Sequence, residues 1–204
     1  MKKFRSLLKL LLIGIMLFAV FYVLDSTLNV TRKTVEDIRV LTPQQLAGED
    51  GFGYSGYKWD ANYLSVDSTW SYDLEHNAVE SVQSKLLCYR SRRSRELEGI
   101  TGHTCFYFEA GENYMYDTKL KQISFQFPIG DDPEGWYSDR AAELEEVCGF
   151  APIPLVKTYA NDQWEEAGLL WAMENSWLSL TLRCVPGEKA LVILSVGNNM
   201  DFQL

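Results

Sequence analysis

Histidine is scarce in this chain, which has only two, His76 and His103, among 204 residues. So small a number excludes metal and acid–base sites that are built from several imidazoles. His76 follows two acids in a predicted turn, where we expect a solvated side chain. His103 is one residue away from Cys105, but two neighbours on a strand without a third partner do not make a catalytic pair.

Several motifs that carry chemistry are also missing. No glycine pattern matches a phosphate loop or a dinucleotide fingerprint. The nearest approach to a serine-hydrolase elbow lies around Ser55, and it has Tyr57 where that motif needs glycine. A loose calcium site at Asp131, Asp132 and Glu134 competes with a plain solvated loop. We therefore predict no cofactor, no metal site and no catalytic residue.

Cations are few beyond residue 24. Four of the 19 lysines and arginines lie in residues 1–24, which contain no acid, so residues 25–204 carry 15 cations against 28 acids, a net charge of about −13. A surface this acidic repels nucleic acid and anionic lipid headgroups, so nucleic acid is excluded as a partner. The acidity suits a cationic protein partner, although it also serves simply to keep a domain soluble.

The longest uncharged run lies near the N-terminus. Residues 1–9 carry four cations, residues 10–24 carry no charge, and Asp25 ends the run. The apolar stretch over residues 7–24 approaches the roughly 20 residues that span a bilayer. Its end lacks the small residues that a signal peptidase needs, so we predict an uncleaved signal-anchor over residues 1–24, with a removed signal peptide as the alternative.

The cations before the apolar run keep the N-terminus in the cytoplasm and send the rest of the chain outward. A short basic start of this kind is typical of bacteria. We therefore expect a single-pass inner-membrane protein, with a polar stalk over residues 25–48 and a periplasmic domain over residues 49–204.

The four cysteines, Cys88, Cys105, Cys148 and Cys184, are widely spaced. Zinc sites bring their ligands in close pairs, so this spacing argues against metal. In an oxidising compartment two disulfides are the expected outcome. Cys88 and Cys105 lie in strand-like runs on either side of a polar stretch, while Cys148 ends a helix and Cys184 ends a strand, both facing one core. This placement predicts the pairs Cys88–Cys105 and Cys148–Cys184.

Alternation of apolar and polar residues predicts mainly antiparallel β-structure. A helix is predicted over 138–148, capped by Gly149, and an extended connector follows at Pro152 and Pro154. Strand 190–196 is nearly continuously apolar, which predicts a central strand, with 169–173 pairing on its other side. The expected fold is an α+β domain with one or more helices packed on an antiparallel sheet, preceded by a single N-terminal transmembrane helix. The predicted strands are 63–74, 103–109, 113–117, 120–127, 178–184 and 190–196.

Two segments are candidate contact regions for a partner. The first contains Arg90, Arg92, Arg93 and Arg95 in six residues, which we expect on the surface, where it clamps carboxylates or phosphates or meets the acids of the domain itself. The second contains four aromatics near glycines, which either form a binding surface or fold onto the core; they are Phe52, Tyr54, Tyr57 and Trp59.

The function that these patterns favour is that of a non-enzymatic binding module, anchored in the membrane and engaging another envelope protein. It is expected to act as an inhibitor or immunity-type protein against a toxin, or as the regulatory partner of a membrane sensor. An envelope hydrolase that works through carboxylates is the alternative from another class. A structural subunit of an envelope complex is the third hypothesis.

Overall fold

The computed structural model describes residues 40–48, 51–54, 57–69, 73–112, 117–158 and 165–198. The predicted anchor, most of the stalk and most of the predicted strand 113–117 lie outside these ranges. Within them, no helix combines the length and the apolar composition that crossing a membrane requires. One compact unit begins at Leu41, and Leu41 and Leu46, within the predicted stalk, are both buried in it.

The described part of the chain is mostly antiparallel β-sheet with a few helices, as predicted. In chain order the elements are a 3-10 helix (Pro43–Gln45), β1 (Ala47–Gly48), β2 (Gly51–Phe52), α1 (Tyr63–Thr69), β3 (Leu74–His76), α2 (Ala78–Ser84), β4 (Leu87–Leu97), β5 (Ile100–Glu109), β6 (Lys119–Ile129), α3 (Pro133–Cys148), β7 (Ile153–Thr158), β8 (Glu165–Ala172), β9 (Ser176–Cys184) and β10 (Ala190–Asn198). Strands β1 and β2 form a small sheet of their own, and β3 to β10 form the main sheet.

The main sheet has the strand order β3-β4-β5-β6-β10-β9-β8-β7. The prediction that 190–196 is a central strand is confirmed, because β10 lies between β6 and β9. The predicted strands 103–109, 120–127 and 178–184 are confirmed as parts of β5, β6 and β9. The pairing proposed for 169–173 is wrong: β8 pairs with β9, because β6 already occupies the other side of β10.

One face of the sheet carries the core. Its fully buried side chains come from β5, β6, β8, β9 and β10, and each contributes roughly 1.5–3 kcal/mol of hydrophobic stabilisation. They include Phe106, Phe108, Ile123, Phe125, Phe127, Trp171, Leu178, Leu180, Val192 and Val196. Helix α3 contacts β9 and β10, and its Trp136 ring lies 6.2 Å from the Phe127 ring.

Helix α3 begins five residues earlier than predicted. The Asp132 carboxylate accepts a hydrogen bond from the Gly135 backbone N–H at 3.1 Å, and Pro133 occupies the first turn. Both are standard features of a helix N-terminus, so the signal was present in the sequence. The predicted end is confirmed, because Gly149 follows Cys148 with a φ of +74°.

The prediction of a strand over 63–74 is wrong for its first seven residues, which form α1. Asn62 accepts a hydrogen bond from the Ser65 N–H at 2.8 Å, as a helix-capping residue does. The buried positions Tyr63, Val66 and Asp67 then follow helical spacing. Asp67 is held inside because its carboxylate accepts hydrogen bonds from the Tyr63 hydroxyl and the Leu74 N–H, both at 3.2 Å.

A two-residue turn joins β4 to β5. Leu97 pairs with Ile100, and Glu98 and Gly99 between them have positive φ values of 49° and 79°. This is the pattern of a type I′ hairpin turn, whose twist matches that of the strands. Only glycine adopts such a φ without strain, so Gly99 is the residue on which this turn depends most.

Replacing Gly99 with alanine should destabilise the protein by about 1 kcal/mol, because alanine at a φ of +79° is strained. For a domain of this size that corresponds to a fall in melting temperature of about 2–4 °C, measured by circular dichroism. Gly130→Ala is the matched control, since that position has open space around it and no positive φ. Equal melting temperatures for the two variants would contradict the turn assignment.

Candidate functional site

The arginine run, expected on the surface, lies on a strand of the main sheet. Arg90, Arg92, Arg93 and Arg95 all belong to β4. The register with β5 shifts between the pairs Arg90–Cys105 and Ser94–His103, so three residues of β4 oppose Thr104. Because the shift is by two residues, the alternation of side chains between the two faces of the sheet continues through this bulge.

This alternation divides the run into outward and inward side chains. Arg90 and Arg92 are exposed, whereas Ser91 and Arg95 are buried. Arg93, half-buried, pairs through Nε with a carboxylate oxygen of Asp73 at 3.2 Å. The expectation that all four arginines lie on the surface is therefore wrong for Arg95, because every second side chain of this strand points inward.

Among the described charged residues Arg95 is the most deeply buried, with only 2% of its surface exposed. Its Nη1 donates a hydrogen bond to the Ser94 carbonyl oxygen at 3.2 Å. Burial lowers the pKa of the guanidinium, while the nearby Tyr54 and Tyr57 act in the opposite direction. The structure thus brings the two predicted contact regions together, but it does so inside the domain.

The aromatic segment is divided in the same way. Phe52 and Tyr54 are buried, and the Phe52 N–H donates a hydrogen bond to Ser176 Oγ at 2.7 Å. The Tyr54 ring packs edge-on against Phe125 at 4.8 Å. Tyr57 and Trp59 are half-buried. Of the eight residues predicted to contact a partner, Phe52, Tyr54 and Arg95 therefore have almost no side-chain surface to offer one.

The exposed arginines have weak partners within the domain. Arg92 Nε lies 3.4 Å from a Glu75 carboxylate oxygen, and both side chains are more than three-fifths exposed, at 64% and 65%. A surface pair of this kind contributes about 0–1 kcal/mol, so it is easily exchanged for another carboxylate. Arg90 forms no ion pair with any described residue. The pKa of His103 on the adjacent strand is lowered mainly by burial, and the charge of Arg90 lowers it further.

The fold places Cys88 and Cys105 next to each other on β4 and β5, both fully buried. The pKa of the Cys88 thiol is raised, mainly by a hydrogen bond with Cys105 and in the second place by burial. Helix α2 covers the pair: Ser81 Oγ accepts from the Cys88 N–H at 2.8 Å, and Glu80 accepts from the Tyr107 hydroxyl at 2.9 Å. The two thiols form a buried pair within reach of each other.

All four cysteines are free thiols in this structure, so both disulfides stay predictions. Cys88 pairs with Tyr107 and Arg90 with Cys105, which makes the two cysteines diagonal neighbours. Diagonal Cα atoms are about 7–8 Å apart, slightly beyond the range of roughly 4.4–6.8 Å usual for disulfides. Bond formation would therefore require a small backbone shift.

The second predicted pair has a less favourable setting. Cys148 is half-buried at the end of α3, and burial raises its pKa to about 11. Cys184 is exposed at the end of β9. The expectation that both face one core is therefore wrong for Cys184.

Two further candidates from the sequence are His76 and Asp132. The His76 ring is exposed and its centre lies 5.3 Å from that of the Tyr89 ring, and the Asp132 carboxylate caps the N-terminus of α3. In the described ranges, no group of three or more histidine, cysteine, aspartate or glutamate residues is arranged to hold a metal ion.

Arg140 is a buried residue that the sequence patterns did not identify. It lies between Glu143 on its own helix and Glu98 in the β4–β5 turn, with its guanidinium 5.6 Å from the Trp136 ring. The spacing to Glu143 is a recognisable helical pair. The contact with Glu98 depends on tertiary structure, so no local signal indicates it.

Comparison with protein-family models, with curated proteins and with solved structures gives no match to this chain.

Tyr54→Ala should lower the free energy of unfolding by about 3–5 kcal/mol, because it removes a buried aromatic ring from the core. Urea denaturation followed by fluorescence measures this change. Trp59→Ala, at a half-buried position of the same segment, should cost clearly less. A loss below about 1 kcal/mol for Tyr54→Ala would mean that this segment does not pack on the core.

Protein kept under oxidising conditions should yield a Cys88–Cys105 peptide in non-reducing mass mapping, because the fold holds these two buried thiols next to each other. The same linkage should persist in a Cys184→Ser variant, whose substitution is remote in the sheet order. Free Cys88 and Cys105, or either of them joined to Cys148 or Cys184, would refute the pairing.

Proposed function

We propose that this chain is a membrane-anchored, extracytoplasmic binding module that engages another envelope protein, either as an inhibitor or immunity-type protein or as the regulatory partner of a sensor. The anchor is residues 1–24, and the module faces the periplasm. Binding is the function that best fits the surface of the domain, which offers charged groups fixed on a sheet.

The single observation that carries this proposal is the display of Arg90 and Arg92 on β4. Both side chains are exposed. The strand beneath them is fixed by its pairing with β3, by a hydrogen bond from the Arg92 N–H to the Asp73 carbonyl oxygen at 3.1 Å, and by the burial of Ser91 and Arg95. An arginine on a rigid backbone loses less entropy on binding than one on a mobile loop. Arginine is also among the residues that contribute most to protein interfaces.

The charges define the partner further. Forked guanidinium groups favour carboxylates, so the partner presents acids opposite Arg90 and Arg92. The rest of the domain is strongly acidic, with 28 acids in the whole sequence. A partner with net positive charge would therefore be attracted over a long range, and its acids would then fix the orientation of the complex.

A photo-crosslinking amino acid at position 94, beside the exposed arginines, tests the proposal in intact cells that carry the full chain. We expect one dominant adduct with an envelope protein. Arg92→Glu should reduce its yield about tenfold, because it turns attraction into repulsion at the contact. Lys189→Glu is the matched control, with the same change of charge at an exposed turn between β9 and β10.

Three results would contradict the proposal. The first is the absence of a specific adduct. The second is an adduct with a cytoplasmic protein, which would place the domain on the wrong side of the membrane. The third is equal loss of the adduct in Arg92→Glu and Lys189→Glu, which would show that only total charge matters.

A further inference from the structure

The two buried thiols of β4 and β5, Cys88 and Cys105, lie on the face of the sheet opposite the main core. Cys105 pairs with Ser124 of β6, and the next residue of that strand, Phe125, points into the main core. Because successive side chains of a strand alternate, Ser124 and the cysteines point the other way. With Tyr107, which pairs with Cys88, the two cysteines form a small buried cluster of their own.

Helix α2 covers this cluster, whereas α1 and α3 pack on the face that carries the main core. Hydrogen bonds join α2 to the strands beneath it. The Asn77 N–H donates to the Cys88 carbonyl oxygen at 2.8 Å, and the Cys88 N–H donates to Ser81 Oγ at 2.8 Å. The Tyr107 hydroxyl donates to the Glu80 carboxylate at 2.9 Å. The helix is therefore attached at the position of the thiol pair.

This attachment is weak compared with the packing of the sheet. Helix α2 has 7 residues, and isolated helices shorter than about 12–15 residues are marginal in water. None of its described side chains is buried, and Val79 is 69% exposed. The helix ends at Lys85 with a φ of +59°, a conformation that strains a residue other than glycine. Segments held by few buried apolar contacts open locally while the rest of a protein stays folded.

We propose that α2 is a lid over the Cys88–Cys105 thiol pair, and that local opening of this helix controls the rate of thiol–disulfide exchange there. In the closed form a reagent in solution reaches neither sulfur, because Cys88 is 0% exposed and Cys105 is 1% exposed. The inference goes beyond the proposed function and is independent of it, since it holds whether or not Arg90 and Arg92 bind a partner.

The exchange proceeds in two steps once α2 is open. The Cys88 thiolate attacks one sulfur of a disulfide oxidant, which releases the other sulfur as a thiolate and leaves a mixed disulfide on Cys88. The Cys105 thiolate then attacks the Cys88 sulfur and releases the second half of the oxidant. The two cysteines lose two protons and two electrons, and the oxidant takes them up to become two thiols. A thiol reductant reverses both steps.

The closed lid also keeps the pair chemically unreactive. The thiolate is the nucleophile in exchange, and the hydrogen bond with Cys105 and burial hold the pKa of the Cys88 thiol above its usual range. Burial likewise raises the pKa of Tyr107, so its hydroxyl keeps the proton that it donates to Glu80. Opening of α2 brings water to Cys88 and removes this barrier to ionisation.

The test uses the reduced full chain in detergent micelles and measures, by peptide mass spectrometry, how fast N-ethylmaleimide labels each cysteine. We expect Cys184, which is exposed, to react on the order of a hundredfold faster than Cys88 and Cys105. Asn77→Ala should accelerate the labelling of Cys88 about fivefold, because it removes the side chain that accepts a hydrogen bond from the Glu80 N–H and so caps α2.

Asn62→Ala is the matched control, since Asn62 caps α1 on the other face of the sheet and its loss should leave the labelling of Cys88 unchanged. Glu80→Ala should accelerate labelling about fivefold, because it removes the acceptor of the Tyr107 hydroxyl. Glu80→Gln keeps an oxygen acceptor at that position and should change the rate less. Circular dichroism establishes that the variants are folded.

Oxidised glutathione tests the exchange itself. The chain should become two hydrogen atoms lighter and gain a Cys88–Cys105 linkage, at a rate that Asn77→Ala raises by the same factor as labelling. In a Cys105→Ser variant the second step is blocked, so a mixed disulfide with glutathione should accumulate on Cys88.

Three results would overturn this inference. Labelling of Cys88 as fast as that of Cys184 would show that the pair is not covered. Unchanged rates in both Asn77→Ala and Glu80→Ala would show that α2 is not the lid. Equal acceleration by Asn62→Ala and Asn77→Ala, or a rate that rises steeply with low concentrations of urea, would show that the thiols react only through global unfolding.

Discussion

The pairing of β10 with both β6 and β9 is the constraint on which the rest of the fold depends. Strands β3 to β6 follow one another across half of the sheet, and β7 to β10 follow one another across the other half. Among the described strands, only the ladder between β6 and β10 joins the two halves of the sheet. Each of the apolar residues Val192, Leu194 and Val196 pairs with an apolar residue of β6, so the β6–β10 pairing also lies at the centre of the core. Because this pairing joins residues far apart in sequence, its loop-closure entropy must be overcome before the sheet is complete.

Helix α3 has the length that this topology requires. After β6 the chain must cross to β7, four strand positions away, which corresponds to about 19 Å. A helix of 16 residues spans about 24 Å. Its first turn contacts Phe127 on β6 through Trp136, and the chain just after its end contacts Trp171 on β8. The helix therefore carries the chain across the sheet while covering the apolar face beneath it.

Much of this fold was predictable from residue patterns, and the failures have physical causes. In β6 and β9 apolar and polar residues alternate because one face of each strand packs in the core. In β10 the run is nearly continuously apolar because both faces are buried, so in all three strands the local pattern agrees with the structure. The alternation over 63–69 was misleading, because Tyr63, Val66 and Asp67 also satisfy helical spacing and the Asn62 cap decides between the two. Pro152 and Pro154 indicate an extended chain correctly, but the sequence alone cannot show that such a chain pairs with β8 as an edge strand.

The candidate site was predictable only in part, because two segments distant in sequence contribute both to the core and to the surface. The pattern of arginines identified β4 as unusual, but the inward direction of Arg95 depends on the register with β5. The aromatic segment has the same division, with Tyr54 in the core and Trp59 near the surface. Replacing either segment as a whole would therefore disturb the core, and loss of a proposed contact could not be told apart from unfolding. Arg90 and Arg92 can be substituted without changing the core, because both side chains are exposed. A functional assignment therefore has to rest on these two residues.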